Sequence, residues 1–243
     1  MSFELAGHNF IVTGAARGIG LAIAHRLESL GANVCGWDKD CDPIRNDPAF
    51  SMVQDVDITD ENEVNHAYES SLSKLGSVQG LIANAGVNGP TKPAWKYTLE
   101  EWNHVLSVDL TGVFICTRAV IQGMRQQDYG RIVVMASVAG KEGNPGACAY
   151  GAAKAGVIGY VKGLARELLP GNVTVNAIAP VITQTDLFDE MTAEYIEDKK
   201  SRIPMGRFCT TKEIADMTAW VASPLCGFTT GQVFDVTGGR ATY

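Results

Sequence analysis

Between Asn9 and Asp38 the chain passes through an apolar stretch, a glycine-rich turn, a helical repeat and a second apolar stretch, an order open to few architectures. Asn9-Phe10-Ile11-Val12 reads as a buried strand running into Thr13-Gly14-Ala15-Ala16-Arg17-Gly18-Ile19-Gly20. Leu21, Ile23, Ala24, Leu27 and Leu30 then recur at helical spacing. Glycines let a backbone turn tightly and approach a ligand, and the amides and positive end of the following helix favour a phosphate. Such a turn alone is a weak sign. The second strand, Asn33-Val34-Cys35-Gly36-Trp37, strengthens it by ending at Asp38, an acidic residue about twenty positions on, as a dinucleotide site requires. A carboxylate there bonds both ribose hydroxyls of NAD and repels the extra phosphate of NADP. NAD is the expected cofactor, with Lys39 and Arg17 as the cations that argue for NADP.

The same alternation continues to the end. Asp40 to Pro48 reads as a surface connection, and Ser51-Met52-Val53-Gln54 as a short strand leading to Asp55-Val56. Asp55 is placed to meet an adenine edge, or else serves as a loop or capping carboxylate before the helix expected from Glu61 to Leu75. Further strands are expected at Gly80 to Gly86, Arg131 to Ala136, Val173 to Ile178 and Gln232 to Val236, with long helical segments at Leu99 to Gln126 and Tyr150 to Leu169. This alternation predicts an α/β fold, a doubly wound parallel sheet with helices on both faces. At 243 residues and 46% hydrophobic content, residues 1–243 are read as one domain. Ligands of such sheets bind outside the carboxyl ends of the strands, which places Asn84 to Gly86 against the cofactor.

Tyr150-Gly151-Ala152-Ala153-Lys154 sets a phenol and an ammonium four residues apart, hence on one helical face, with Ser137 upstream at the end of an apolar run. A tyrosine ionises near pH ~10, and a neighbouring cation favours its phenolate, bringing it toward the range of a proton-transfer group. Ser137 would add a hydroxyl aimed at the same substrate oxygen. Taken alone, the pair reads first as an ordinary helix surface pair, and the rest of the chain reverses that reading.

The net charge of −7 and pI near 5.1 argue against a nucleic-acid surface. With no leader pattern read at Met1 to Leu5 and no apolar run read as membrane-spanning, the expectation is a cytoplasmic protein acting on a small molecule. Cys35, Cys41, Cys116, Cys148, Cys209 and Cys226 show no metal-ligand spacing and read as reduced thiols, and His8, His25, His66 and His104 do not cluster with them, so no metal is expected.

Together Thr13 to Gly20, Asn84-Ala85-Gly86, Ser137, Tyr150-x-x-x-Lys154 and the Pro180 to Thr185 turn resemble the short-chain dehydrogenase/reductase family, with its Rossmann-type fold, over essentially the whole chain. The resemblance implies that Gly14, Arg17, Ile19, Asp38, Asp55, Val56, Asn84, Tyr150, Lys154, Thr183 and Thr185 contact the dinucleotide. It implies that Tyr150 exchanges the hydroxyl proton, Ser137 polarises the substrate oxygen, and Lys154 holds the nicotinamide ribose. It also implies a homotetramer built on the two long helices. Three positions depart from the pattern: Asp109 and Ala83 stand where asparagine is usual, and Val181 replaces the glycine after Pro180. Asp109 is counted with the catalytic group: if its carboxylate faces Lys154 it would stabilise the ammonium while partly cancelling the field that favours the Tyr150 phenolate, and the proton relay is expected to pass through the backbone there.

Asp186 to Lys200 reads as a helical substrate lid. Gly140 to Gly146, Ile203 to Phe208 and Gly238 to Tyr243 resemble a subgroup that oxidises acidic deoxysugars, which implies a 2-keto-3-deoxy sugar acid, first the L-fuconate derivative oxidised at C4, then its L-rhamnonate counterpart. Arg240 is the candidate for the substrate carboxylate, with Lys141 and Asn144 as loop contacts. A 3-oxoacyl carrier-protein reductase using NADP and a non-catalytic NAD-binding sensor or scaffold are the alternatives.

Overall fold

The computed structural model describes residues 4–184, 197–198 and 200–243. Seven strands form one sheet: β1 (Asn9–Thr13), β2 (Asn33–Asp38), β3 (Met52–Asp55), β4 (Gly80–Ala83), β5 (Gly130–Met135), β6 (Val173–Pro180) and β9 (Val233–Val236). Their order is β3-β2-β1-β4-β5-β6-β9, and every neighbouring pair is parallel. The chain winds outward from β1 to β3 and then returns to lay β4 on the other side of β1. The ends of β1 and β4 therefore flank a crevice, the place where such sheets bind ligands. Two-residue strands β7 (Thr183–Gln184) and β8 (Cys209–Thr210) pair separately beyond β6.

Side chains alternate between the faces of a strand, and here both faces are apolar. Phe10 and Val12 enter one core while Ile11 enters the other; in β5, Val133 and Met135 part from Ile132 and Val134 in the same way. Strands covered on both sides read as continuous apolar runs, which is why the sequence exposes them so plainly. Helices α1 (Gly18–Glu28) and α7 (Thr211–Val221) cover the first face through Ile23, Leu27, Ile214 and Ala219. The second is covered by α2 (Glu61–Leu75), α4 (Val113–Gln126) and α6 (Cys148–Glu167) through Val64, Val120, Val157 and Val161.

Local chemistry sets the helix ends. Asp60 caps α2 by accepting the N–H groups of Asn62 and Glu63. Thr98 and Glu101 form a capping box on α3 (Leu99–Leu106), and Thr210 and Glu213 form another on α7. Arg207 also grips Glu213, at 2.6 and 2.9 Å, and holds its carboxyl down to about 2.

Three elements differ from the sequence reading, the last of them in two ways. The second long helix starts at Cys148, so Tyr150 lies within its first turn rather than opening it. The segment Asp40 to Pro48 buries Cys41 and Ile44 and so is more than a surface connection. Leu99 to Gln126 is not a uniform α-helix: a π-helical turn, Ser107–Gly112, separates α3 from α4. Finally, this 28-residue run reaches a mean hydropathy of 1.5 over an 18-residue stretch. By length and composition that suffices to cross a membrane, correcting the expectation that no apolar run reaches such a length. Its Val113, Cys116, Val120 and Met124 pack into the sheet core, and its π-turn buries Asp109 beside Lys154. It is a core helix.

Candidate active site

At the crevice, Gly14 adopts a positive φ of 63°, a conformation that disfavours a side chain. A Cβ on Gly20 would fall 2.0 Å from the Gly14 carbonyl oxygen, so the helix start and the turn touch through bare backbone. Thr13 Oγ1 accepts the N–H groups of Asn84 and Ala85, each at 3.0 Å. Asn84 Nδ2 donates in return to the carbonyls of Thr13 and Gly14, at 3.0 and 3.1 Å. The glycine loop is thus stapled to the end of β4 across the crevice. Asp38 Oδ2 accepts the Ala16 N–H at 2.9 Å, which draws the carboxylate against that loop. Lys39, the nearer counter-argument for NADP, is committed to Asp57 at 2.7 Å and holds that carboxyl down to about 2. Arg17 is exposed at the N-cap of α1, and Ile19 is half-buried in its first turn. A tight turn with no room for Cβ atoms, a helix N-terminus and a fixed acidic group fit a dinucleotide.

At the expected adenine end, Asp55 and Val56 have protein partners of their own. The Asp55 carboxylate accepts the Cys41 N–H at 2.9 Å and Arg45 Nη2 at 2.5 Å, so it pins the loop after β2. The Arg45 guanidinium holds the Asp55 carboxyl below its usual range, and the side chain stays half exposed. The Val56 N–H is likewise used, by the Asp38 carbonyl at 2.7 Å. Thr183 is buried and its hydroxyl donates to the Val181 carbonyl at 2.9 Å. Thr185, and the expected lid apart from Glu197, Asp198 and Lys200, lie outside the described residues.

Beyond β5, hydrogen bonds from Ala136 N to Ile178 O (2.8 Å) and Val138 N to Pro180 O (3.0 Å) keep the chain beside β6 and hold Ser137 at the sheet's carboxyl edge. Ser137 is buried, and its Oγ accepts the Ala139 N–H at 3.1 Å, which leaves the hydroxyl hydrogen available to a substrate oxygen. The short α5 (Ala139–Glu142) lies directly on α6: a Cβ on Gly140 would sit 2.6 Å from the Lys154 carbonyl carbon. Within α6, Lys154 Nζ lies 5.7 Å from the centre of the half-buried Tyr150 ring. The same ammonium donates to the Met135 carbonyl at 2.9 Å and stands 3.3 Å from Asp109 Oδ2. Asp109 has no exposed surface. The π-turn carries it inward, as π-bulges often do at functional sites, and its Oδ1 accepts the Val87 N–H at 2.7 Å. Burial pushes the Asp109 carboxyl above the usual carboxylate range, with Lys154 pulling the other way.

Residues 14–241 match the family model described as enoyl-(acyl carrier protein) reductase. The chain belongs to the short-chain dehydrogenase/reductase family. It is 40% identical over 241 residues to a 2-dehydro-3-deoxy-L-rhamnonate dehydrogenase (NAD(+)) of Sphingomonas sp. strain SKA58, covering 98% of this chain and 97% of that one. It is 36% identical to a 3-oxoacyl-(acyl-carrier-protein) reductase of Aquifex aeolicus, covering 98% of this chain and 99% of that one. A crystal structure of the 3-ketoacyl-(acyl-carrier-protein) reductase from Brucella melitensis complexed with NADH superposes with a TM-score of 0.93 at 30% identity, over 98% of this chain and 100% of that one.

For a dehydrogenase/reductase of this family, the substrate side is less open than the sequence suggests. Lys141, expected as a loop contact, is instead paired with Asp235 at 2.7 Å, with its own side chain only 9% exposed. Tyr243 closes over it, donating from its hydroxyl to the Lys141 carbonyl at 3.0 Å. Arg240 Nε bonds Glu142 at 2.9 Å, so both cations tie the C-terminal segment to α5. Asn144 is half-buried and its carbonyl accepts the Ala147 N–H at 3.0 Å. Cys148 is exposed at the start of α6. Sequence reading missed a loop tie beside it, where Lys92 N bonds the Gly146 carbonyl at 2.9 Å and the Tyr97 hydroxyl donates to the carbonyls of Pro90 and Gly146.

Proposed function

We propose that this oxidoreductase uses NAD to oxidise a secondary alcohol of a 2-keto-3-deoxy sugar acid at C4. The observation that carries the chemistry is the Tyr150 and Lys154 pair on one turn of α6, whose ammonium bonds the Met135 carbonyl two residues before Ser137. Tyr150 Oη takes the proton of the substrate hydroxyl as the carbon loses hydride, and Ser137 Oγ donates a hydrogen bond to the same oxygen. Lys154 holds its ammonium 5.7 Å from the centre of the Tyr150 ring, with the Asp109 carboxylate offsetting part of its field. The bound dinucleotide supplies the hydride acceptor. Asp38, held by the Ala16 amide, supports NAD over NADP.

The substrate class is supported by the Sphingomonas relative, whose name specifies an L-rhamnonate derivative. The L-fuconate derivative expected from the sequence is its stereoisomer, and both belong in the test. A reductase of 3-oxoacyl groups is the second reading, favoured by the Aquifex and Brucella proteins. We place the enzyme in the cytoplasm as a homotetramer, with α4 and α6 at its interfaces; Phe114 on α4, 42% exposed, supports an interface there.

Reduced-nicotinamide absorbance separates these readings across the two keto-deoxy acids, neutral aldoses, simple secondary alcohols and a 3-oxoacyl thioester, each with both cofactors. Turnover confined to the keto-deoxy acids with NAD is the expected result, and reduction of the thioester alone would replace the assignment. Asp38→Ala is expected to bring the NAD and NADP Michaelis constants within about tenfold of each other, since one unpaired charge repulsion is worth roughly 1–2 kcal/mol near a surface; retained preference for NAD would move selectivity elsewhere. Arg240→Ala is expected to raise the Michaelis constant for the sugar acid about tenfold, the worth of one charge-assisted bond, without changing that for NAD. An unchanged value would remove Arg240 from the substrate site.

A further inference from the structure

We propose that Asp109 sets the balance of affinity between the oxidised and reduced forms of the dinucleotide by neutralising the Lys154 ammonium beside the nicotinamide subsite. The inference rests on the cofactor reading above. Asp109 Oδ1 faces the Val87 N–H and Oδ2 faces the Lys154 ammonium, so both oxygens look at donors and a carboxyl proton would have no acceptor to point toward. The group is a carboxylate. Oδ2 makes no hydrogen bond of its own, and with 0% of Asp109 and 4% of Lys154 exposed at the side chain, the two form a buried pair of zero net charge. The pair also abuts the crevice. A Cβ on Gly86 would lie 3.2 Å from Asp109 Oδ2 and 3.3 Å from Lys154 Nζ, in the loop that begins with the Asn84 staple.

The two redox forms of a nicotinamide differ by one unit of charge on the ring. A lone ammonium beside that ring disfavours the oxidised, cationic form; a neutral pair does not. An amide at position 109 would restore the bias. The carboxylate therefore favours capture of the oxidised cofactor, as an enzyme working toward alcohol oxidation requires. It acts through Lys154 and is a positioning residue in the electrostatic sense.

The test compares dissociation constants for NAD+, by calorimetry, and NADH, by nicotinamide fluorescence, in the wild type and in Asp109→Asn. The ratio of the NAD+ to the NADH constant is expected to rise about tenfold in the variant, the effect of one charge several ångströms away in a partly screened site. Asp109→Ser should move the ratio in the same direction, which keeps the test available if the first variant does not fold. A residue that only supports packing would weaken both forms alike; an unchanged ratio in a folded variant overturns the inference. A wild-type protein that binds neither form would overturn the cofactor reading instead.

Discussion

Tyr150→Phe is expected to lower kcat/KM for alcohol oxidation by about 10³-fold, within the range that a positioned acid–base group contributes. Its dissociation constant for NADH should stay within about threefold. The substitution removes one oxygen and keeps the ring, so the helical turn and the packing of Lys154 against it survive. Lys154 is anchored independently, by the Met135 carbonyl and Asp109. Steady-state oxidation of the sugar acid and an NADH titration measure the two quantities. Activity above a tenth of the wild type would show that the hydroxyl proton leaves by another route.

Gly20→Ala is the second large effect, and it acts through the turn instead of the chemistry. The added carbon would meet the Gly14 carbonyl oxygen at 2.0 Å, Asn84 Nδ2 at 2.6 Å and the Gly14 carbonyl carbon at 2.8 Å. Two of those atoms are backbone and the third belongs to the staple, so none can rotate away cheaply. Overpacking of this kind costs roughly 1–3 kcal/mol, and in a domain of this size that lowers Tm by about 2–10 °C. Because the displaced atoms shape the phosphate turn, NAD affinity should fall about 100-fold. Thermal melts with and without cofactor, together with calorimetry, report both effects. An affinity within twofold of the wild type would mean that the turn does not receive the dinucleotide.

The parts of this molecule that the sequence makes legible are those governed by short-range rules. Strands buried on both faces appear as apolar runs, and β1 and β2 are placed by the turn and by Asp38. Tyr150 and Lys154 meet because four residues span about one helical turn. The dehydrogenase/reductase family follows from the order of such features. What escaped depends on partners far away in the chain or on irregular backbone. Lys141 looks like a free loop cation until Asp235, 94 residues away, is placed beside it. Nothing in Asp40 to Pro48 announces that Arg45 folds back onto Asp55. The π-turn that buries Asp109 has no compositional signature, although Asp109 in an otherwise apolar helix marked the place. Helix α7 was missed despite its Thr210-x-x-Glu213 cap.

The staple between Thr13 and Asn84 joins residues 71 positions apart, and it forms only when β1 and β4 lie side by side. The phosphate turn therefore takes its shape as the sheet closes, and its ordering entropy is spent during folding, not on capture of the dinucleotide. Cofactor recognition and sheet integrity become one thermodynamic property. A bound dinucleotide reinforces the seam at the centre of the sheet, and a substitution that loosens this seam reads out as lost affinity even at a position the cofactor never touches.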